Sequence, residues 1–177
     1  MPIYSPFMKA KRIKLIFIFL AISSVSFSQT EWDSWNKSYK ERSISILINY
    51  ETLYADSVEN GLIKGEYYLR MDKYRFGAIF TGEKREIDNN TLLSMKRVYK
   101  TFGNPDYLST FDNIKAEYEF IIEGDNYWLP IQPILEKPLK KEIRKNGYVY
   151  LYCLYLNEHT KQRELFNTLL ISEFKKD

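Results

Sequence analysis

The sequence predicts an α+β fold in which an antiparallel sheet of about five to seven strands, open or curled into a small barrel, packs against an N-terminal helix and one or two short helices. Three observations lead to this prediction: a long apolar hairpin at the C-terminus, two hairpin patterns upstream of it, and segments of helical periodicity between them. Strand pairs separated by helices favour this class over a parallel, doubly wound sheet. We expect residues 29–177 to form one globular domain.

The C-terminal hairpin is the strongest of these patterns. Apolar side chains occupy both faces of residues 148–156, as in a central strand that is covered on both sides. Residues 165–174 form its expected partner, and the polar residues 157–164 form the turn between them. Tyr150 and Tyr152 share one face of the first strand, and a tyrosine can bury its ring while its hydroxyl lines a groove.

The segments upstream supply the other elements. We expect a helix over about residues 31–59, although residues 43–49 also fit a strand because isoleucine alternates there. A hairpin of strands 66–71 and 74–80, with its turn at Asp72-Lys73, is expected next, followed by a helix from about 89 to 102. A second hairpin is expected within 114–132, with its turn at 124–126. A short helix is expected within 133–146, with Pro138 in its first turn.

Residues 1–28 have the pattern of a secretory signal peptide. Four basic residues precede an apolar run at 15–22, and small residues place the expected cut after Ser28. Translation from Met8 would give a more typical leader than translation from Met1. The apolar run is shorter than the roughly 20 residues of a membrane-spanning helix, and an uncleaved N-terminal anchor is the alternative. The sequence therefore predicts a periplasmic or extracellular protein.

Removing the leader changes the charge of the chain. The whole sequence has 26 basic and 23 acidic residues, and the leader holds four of the basic residues and no acidic residue, so the remainder carries a net charge of −1. This balance does not favour a nucleic-acid partner, which would require a basic surface. Cys153 is the only cysteine, so no intramolecular disulfide can form and stability must come from the hydrophobic core.

The candidate binding residues come from two mixed aromatic and polar segments and from the tyrosine face of the C-terminal hairpin. Arginine and aromatic side chains together can hold an anion, a sugar or a peptide. The alternative is a solvated turn in which Asp72 pairs with a neighbouring arginine. The predicted binding residues are Arg70, Asp72, Arg75, Trp128, Gln132, Tyr150 and Tyr152. We expect any site to lie where the tyrosine face is uncovered, near Trp128.

The sequence contains no recognisable catalytic or metal-binding motif. One His and one Cys cannot complete a His/Cys zinc site, and His159 is expected to be exposed in the polar turn. No nucleophile elbow, P-loop or dinucleotide-binding glycine motif occurs. Glu117 and Glu119 share one face of a strand, where we expect both to be solvated. The sequence therefore predicts no catalytic residue, no metal and no cofactor.

These observations favour a non-enzymatic, exported bacterial binding or protein-interaction module. One alternative is a periplasmic immunity protein or inhibitor, which also needs no catalytic residues. Another is a carboxylate-dependent hydrolase, because two acids distant in sequence can meet in a fold. The expected partner is a protein or a small ligand and not a nucleic acid, and the membrane is contacted only through the leader during export.

Overall fold

The structure is a computed structural model that describes residues 31–64 and 67–177. The expected signal peptide lies outside the described residues. The chain divides into two compact units, residues 1–38 and 39–177. In the first unit, residues 31–38 are helical. Across the described ranges, no helix has the length and apolar character needed to span a membrane.

The second unit is built on one mainly antiparallel sheet. Its strands are β1 (Lys40–Glu41), β2 (Leu69–Glu86), β3 (Ala116–Ile122), β4 (Asp125–Pro130), β5 (Gly147–His159) and β6 (Leu165–Lys176). The strand order is β4-β3-β2-β5-β6, and the short β1 pairs in parallel with β2. An isolated bridge between Ile131 and Ile171 brings the two ends of the sheet near each other, but the sheet stays open. The predicted α+β class is confirmed, as an open sheet.

Strand β2 is one continuous strand, so the predicted hairpin with its turn at Asp72-Lys73 is wrong. Twelve consecutive residues, Leu69–Phe80, pair with β5, and Asp72 lies opposite Tyr155 in the middle of this ladder. In this antiparallel ladder, alternate residues of β2 pair both their backbone N–H and C=O groups with β5. That gain outweighs the weak local preference of two polar residues for a turn.

The helices are α1 (Ile44–Glu59), α2 (Asn89–Phe102) and α3 (Pro133–Glu142), with a 3-10 helix at Pro105–Asn113. The predicted N-terminal helix is interrupted by β1, and α1 restarts after Ser43, whose hydroxyl accepts the N–H of Ile46. Residues 44–49 are therefore helical. Helix α2 begins and ends as predicted. Helix α3 begins at Pro133, so the prediction that Pro138 lies in its first turn is wrong; Pro133 takes that position instead.

Both faces of the sheet are packed, and β5 is buried on both sides as its sequence predicts. One face packs against α1 and α3 through side chains that include Leu151, Cys153 and Tyr155. The other face packs against α2 and the 3-10 helix through a smaller cluster that includes Leu156 and Met95. Burial raises the pKa of the Cys153 thiol, which is completely enclosed in the first core.

The turn between β3 and β4 is fastened to the first turn of α1. The Glu123 carboxylate accepts hydrogen bonds from the hydroxyls of Ser43 and Ser45, at 2.8 and 2.7 Å, and from the N–H groups of Ile44 and Ser45, both at 3.2 Å. The first N–H groups of a helix lack intrahelical partners, and a negative charge is favourable there. The loop is Glu123-Gly124, with φ values of 56° and 94° as in a tight two-residue hairpin loop, and not the predicted 124–126, because Asp125 and Asn126 already pair in β4.

Replacing Glu123 with Gln is expected to lower the free energy of unfolding by about 1 kcal/mol at pH 7, because the cap loses its charge. Burial alone would raise the pKa of Glu123, but hydrogen bonds from Ser45, Ser43 and two backbone N–H groups together lower it. The resulting stability is complete above the ordinary glutamate pKa of about 4.3 and is lost as the pH falls through the lower, folded-state pKa.

Urea unfolding at pH 7 and pH 3 measures this effect. The difference between the wild type and Glu123→Gln should shrink at pH 3, and an equal difference at both pH values would contradict the role of the charge. Asp125→Asn, in the same hairpin but outside this cap, is the control and should leave the stability nearly unchanged.

Candidate functional site

A cleft of about 350 Å³ lies between α1 and β2, and we call it the α1 cleft. Helix α1 and the residues before it supply most of its wall, and Arg70 and Tyr74 of β2 supply the rest. Its lining residues are Arg42, Ser43, Ile46, Leu47, Tyr50, Arg70 and Tyr74. The cleft therefore combines two cationic side chains with hydroxyl groups and an apolar wall, and none of the described lining residues is acidic.

The guanidinium of Arg70 is held by a network of hydrogen bonds. Its Nε donates to Asp72 at 2.5 Å, one terminal nitrogen donates to Glu51, and the other donates to the Tyr74 hydroxyl at 3.1 Å. Glu51 is buried, with 2% of its side chain exposed, and also accepts from the Tyr68 hydroxyl. Burial and the contact with Glu51 raise the pKa of Tyr68, so that this hydroxyl remains a donor. Charge-assisted bonds of this kind orient Arg70 strongly.

The arrangement of Glu51 and Asp72 argues against their use as an acid/base pair. A carboxylate-dependent glycosidase needs its two carboxyl groups on either side of the bond that is cleaved. Here the Arg70 guanidinium lies between the two carboxylates and bonds to both. The space that a substrate bond would need between them is therefore filled by protein.

Helix α1 carries an apolar stripe on its exposed side, which we call the α1 stripe. It consists of Ile46, Tyr50 and Leu53, which are 71%, 61% and 58% exposed. These residues recur at helical spacing, whereas the opposite side of the helix buries Leu47 and Ala55 in the core. Ile46 and Tyr50 also line the α1 cleft, so the stripe and the cleft form one continuous surface.

The structure brings Arg70 and Asp72 together but places other predicted binding residues on the opposite face of the sheet. Strand register puts Arg75 with Tyr150 and Tyr152 on that face. Arg75 pairs with Glu41 at 3.0 Å. Tyr150 is about one-third exposed, and Tyr152 is buried.

Trp128 and Gln132 lie away from these residues. The Trp128 ring packs against the guanidinium of Arg85, whose central carbon lies 4.5 Å from the ring centroid. It is three strands from Tyr150 in the sheet, and the strands that carry the two residues are about 14 Å apart at ordinary strand spacing. Gln132 precedes α3, and its backbone N–H donates to the Ile171 carbonyl at 3.4 Å. The seven predicted residues therefore do not converge on a single pocket.

Glu51 is the residue of the α1 cleft network that sequence reasoning missed. It occupies a helix position in register with the buried residues Leu47 and Ala55. A charged residue on the buried face of a helix needs a buried partner of opposite charge. The position of Glu51 among apolar residues in the sequence therefore indicated a buried ion pair. The identity of that partner required the fold, because Arg70 lies on another element.

A second cleft, of about 520 Å³, lies where β5 turns into β6, and we call it the β5–β6 cleft. His159, predicted to be exposed, is the last residue of β5 and is buried; its Nε2 lies 2.9 Å from a Glu59 carboxylate oxygen. It is buried because β5 extends beyond its predicted end, and the turn begins after it. Glu158 is also buried and accepts two hydrogen bonds from Arg97, at 2.7 and 2.6 Å.

The expectation that Glu117 and Glu119 are both solvated is wrong for Glu117. Its side chain is buried and pairs with Arg85 at 2.5 Å. Burial raises the pKa of Glu117, and the Arg85 contact offsets part of that effect. Glu119 is partly exposed and accepts from the side chain of Asn126.

Comparison with known protein families, with curated protein sequences and with solved structures finds no match to this chain. Within the described ranges, no three His, Cys, Asp or Glu side chains cluster as metal ligands would. Function must therefore be argued from the two clefts and the α1 stripe.

Replacing Arg70 with Met is expected to lower the free energy of unfolding by about 2 kcal/mol, because Glu51 would remain buried without its cation. Asp72→Asn is the matched control. Asp72 is one-third exposed, so its loss of charge should cost no more than about 0.5 kcal/mol. Urea unfolding of both variants measures the difference, and equal losses would mean that Glu51 does not depend on Arg70.

Proposed function

We propose that the protein is a non-enzymatic interaction module that binds a segment of a partner protein along the α1 stripe and in the α1 cleft. The observation that carries this proposal is the exposure of Ile46, Tyr50 and Leu53 beside an arginine that is already oriented by its own network. Large apolar side chains grouped at helical spacing on a surface are typical of sites that receive another chain.

The lining of the α1 cleft specifies the chemistry of this segment. Apolar side chains of the partner would cover Ile46 and Tyr50. An acidic side chain would bond to Arg70 or Arg42, because the described residues of the lining include two cations and no acid. Glu51 and Asp72 use two N–H groups of Arg70 and Tyr74 accepts a third, which leaves two for a partner. The proposed ligand is therefore a peptide that combines apolar residues with Asp or Glu.

Selection from a random peptide display library tests the proposal. Peptides selected on the wild-type protein should share apolar residues and at least one acidic residue. The double variant Ile46→Ser/Tyr50→Ser should bind them at least about tenfold more weakly, because two exposed apolar contacts of roughly 1 kcal/mol each are lost. These positions are exposed, so the substitutions should leave the unfolding midpoint nearly unchanged.

Leu93→Ser is the control for the selection. Leu93 is 42% exposed on α2 and lies outside the α1 cleft, so its replacement should leave peptide binding unchanged. The proposal is wrong if no peptide is enriched, or if the enriched peptides bind the double variant as tightly as the wild type.

We also propose that this module works outside the cytoplasm, after removal of residues 1–28. The basic and apolar pattern of these residues supports export. When the gene is expressed in a bacterial host with a periplasm, the mature protein should begin at Gln29, as measured by N-terminal sequencing of the periplasmic fraction. A full-length chain in the membrane fraction would instead support an uncleaved anchor.

A further inference from the structure

The β5–β6 cleft has the features of a second binding site. The described linings of the two clefts have no residue in common, and Tyr68 of this cleft bonds to Glu51, which in turn holds Arg70 of the α1 cleft. The lining of the β5–β6 cleft is Tyr67, Tyr68, Leu69, Arg97, Glu158, His159, Thr160, Lys161, Gln162 and Glu164. Its polar groups include a buried carboxylate, a buried imidazole and two cations, and its volume suits a small molecule.

Arg97 is the central group of this cleft. The buried Glu158 carboxylate binds Nε and one terminal nitrogen of the guanidinium, and so fixes its plane. A guanidinium has five N–H groups. The other three have no acceptor assigned within the described ranges, and they include one on each terminal nitrogen. The edge of the guanidinium formed by the two terminal nitrogens can therefore bind a second carboxylate through two hydrogen bonds.

The turn between β5 and β6 adds a second cation to the lining of the cleft. The turn is held by backbone hydrogen bonds between Thr160 and Glu164 at 2.9 Å and between Arg163 and Thr160 at 3.0 Å. Lys161 lies in this turn and lines the cleft, with no ion-pair partner in the described part of the chain. Arg97 and Lys161 therefore offer two positive charges to an anionic group.

The acidic residues of the lining limit the charge of that group. Glu158 and Glu164 both line the cleft and would repel a dianion such as phosphate more strongly than a singly charged carboxylate. Their presence favours a ligand with one negative charge. It also favours a ligand that carries a hydrogen-bond donor, since carboxylates are acceptors.

His159 lines the cleft but does not face a ligand. Its Nε2 lies 2.9 Å from a Glu59 carboxylate oxygen, and no part of its side chain is exposed. The exposed Glu164 carboxylate, which also lines the cleft, is an acceptor that a ligand can reach.

We propose that the β5–β6 cleft binds a small monocarboxylic acid that also carries an O–H or N–H donor. Arg97 and Lys161 bind the carboxylate, and the Glu164 carboxylate accepts the hydrogen bond from the donor. Hydroxy acids and amino acids have this chemistry.

Titration of the 15N-labelled protein with glycolate and with acetate, at constant ionic strength, tests the proposal. The two probes differ only by a hydroxyl group. Both should shift amide resonances at Arg97 and at residues 158–164, with saturation near millimolar concentration. Glycolate should bind about threefold or more tightly than acetate because it gains one hydrogen bond. Phosphate should bind more weakly than either.

Four variants assign the roles. Arg97→Lys keeps a positive charge beside the buried Glu158 but loses the two-pronged contact, so both probes should bind about tenfold more weakly. Lys161→Gln, at an exposed position, should weaken both probes without affecting folding. Glu164→Ala, at an exposed position, should still bind acetate and should lose the preference for glycolate. Lys96→Gln, on the same helix but paired with Asp112, is the control and should bind like the wild type.

The results separate the proposal from non-specific binding. Shifts that do not saturate, or that are unchanged in both Arg97→Lys and Lys161→Gln, would overturn the site. Equal binding of glycolate and acetate by the wild type would overturn the role of Glu164, and tighter binding of phosphate would overturn the carboxylate assignment. The site can fail while the peptide selection at the α1 cleft succeeds, because the described linings of the two clefts have no residue in common.

Discussion

The pairing of β2 with β5 is the interaction on which the rest of the structure depends. Its twelve residue pairs form the centre of the sheet, and each face of this ladder carries its own core. Because side chains alternate along a strand, one end of the ladder contributes to both clefts. Arg70 projects from one face toward α1, and Leu69 and Glu158 line the β5–β6 cleft on the other.

Patterns that are local in the sequence predicted much of this fold. The continuous apolar run of β5, the helical spacing of α2 and the tight turn between β3 and β4 each depend on residues close together in the chain, and each is present in the structure. The failure at Asp72-Lys73 has a different origin. Whether those two residues turn or continue a strand is decided by a partner about 80 positions away, which no local pattern contains.

The wrong turn at Asp72-Lys73 also explains why the predicted binding residues do not lie together. A hairpin turn at Asp72-Lys73 would have collected Arg70, Asp72 and Arg75 at one tip. In a continuous strand, successive side chains alternate between the two faces of the sheet, so Arg75 lies on the face opposite Arg70 and Asp72. The groups that complete each cleft come from distant segments: Glu51 meets Arg70 from α1, and Arg97 meets Glu158 from α2. The composition of the sequence could identify which types of side chain can form a binding site, but not which residues they contact in the fold.

The enclosure of Cys153 has a consequence for redox behaviour. Disulfide exchange and oxidation proceed through an accessible thiolate, and burial in the core both hides this sulfur and disfavours its ionisation. Thiol oxidants should therefore leave the native chain unmodified and uncrosslinked. The fold needs neither an oxidising compartment to complete it nor a reducing one to protect it, and the same native state is accessible before and after any change of redox surroundings.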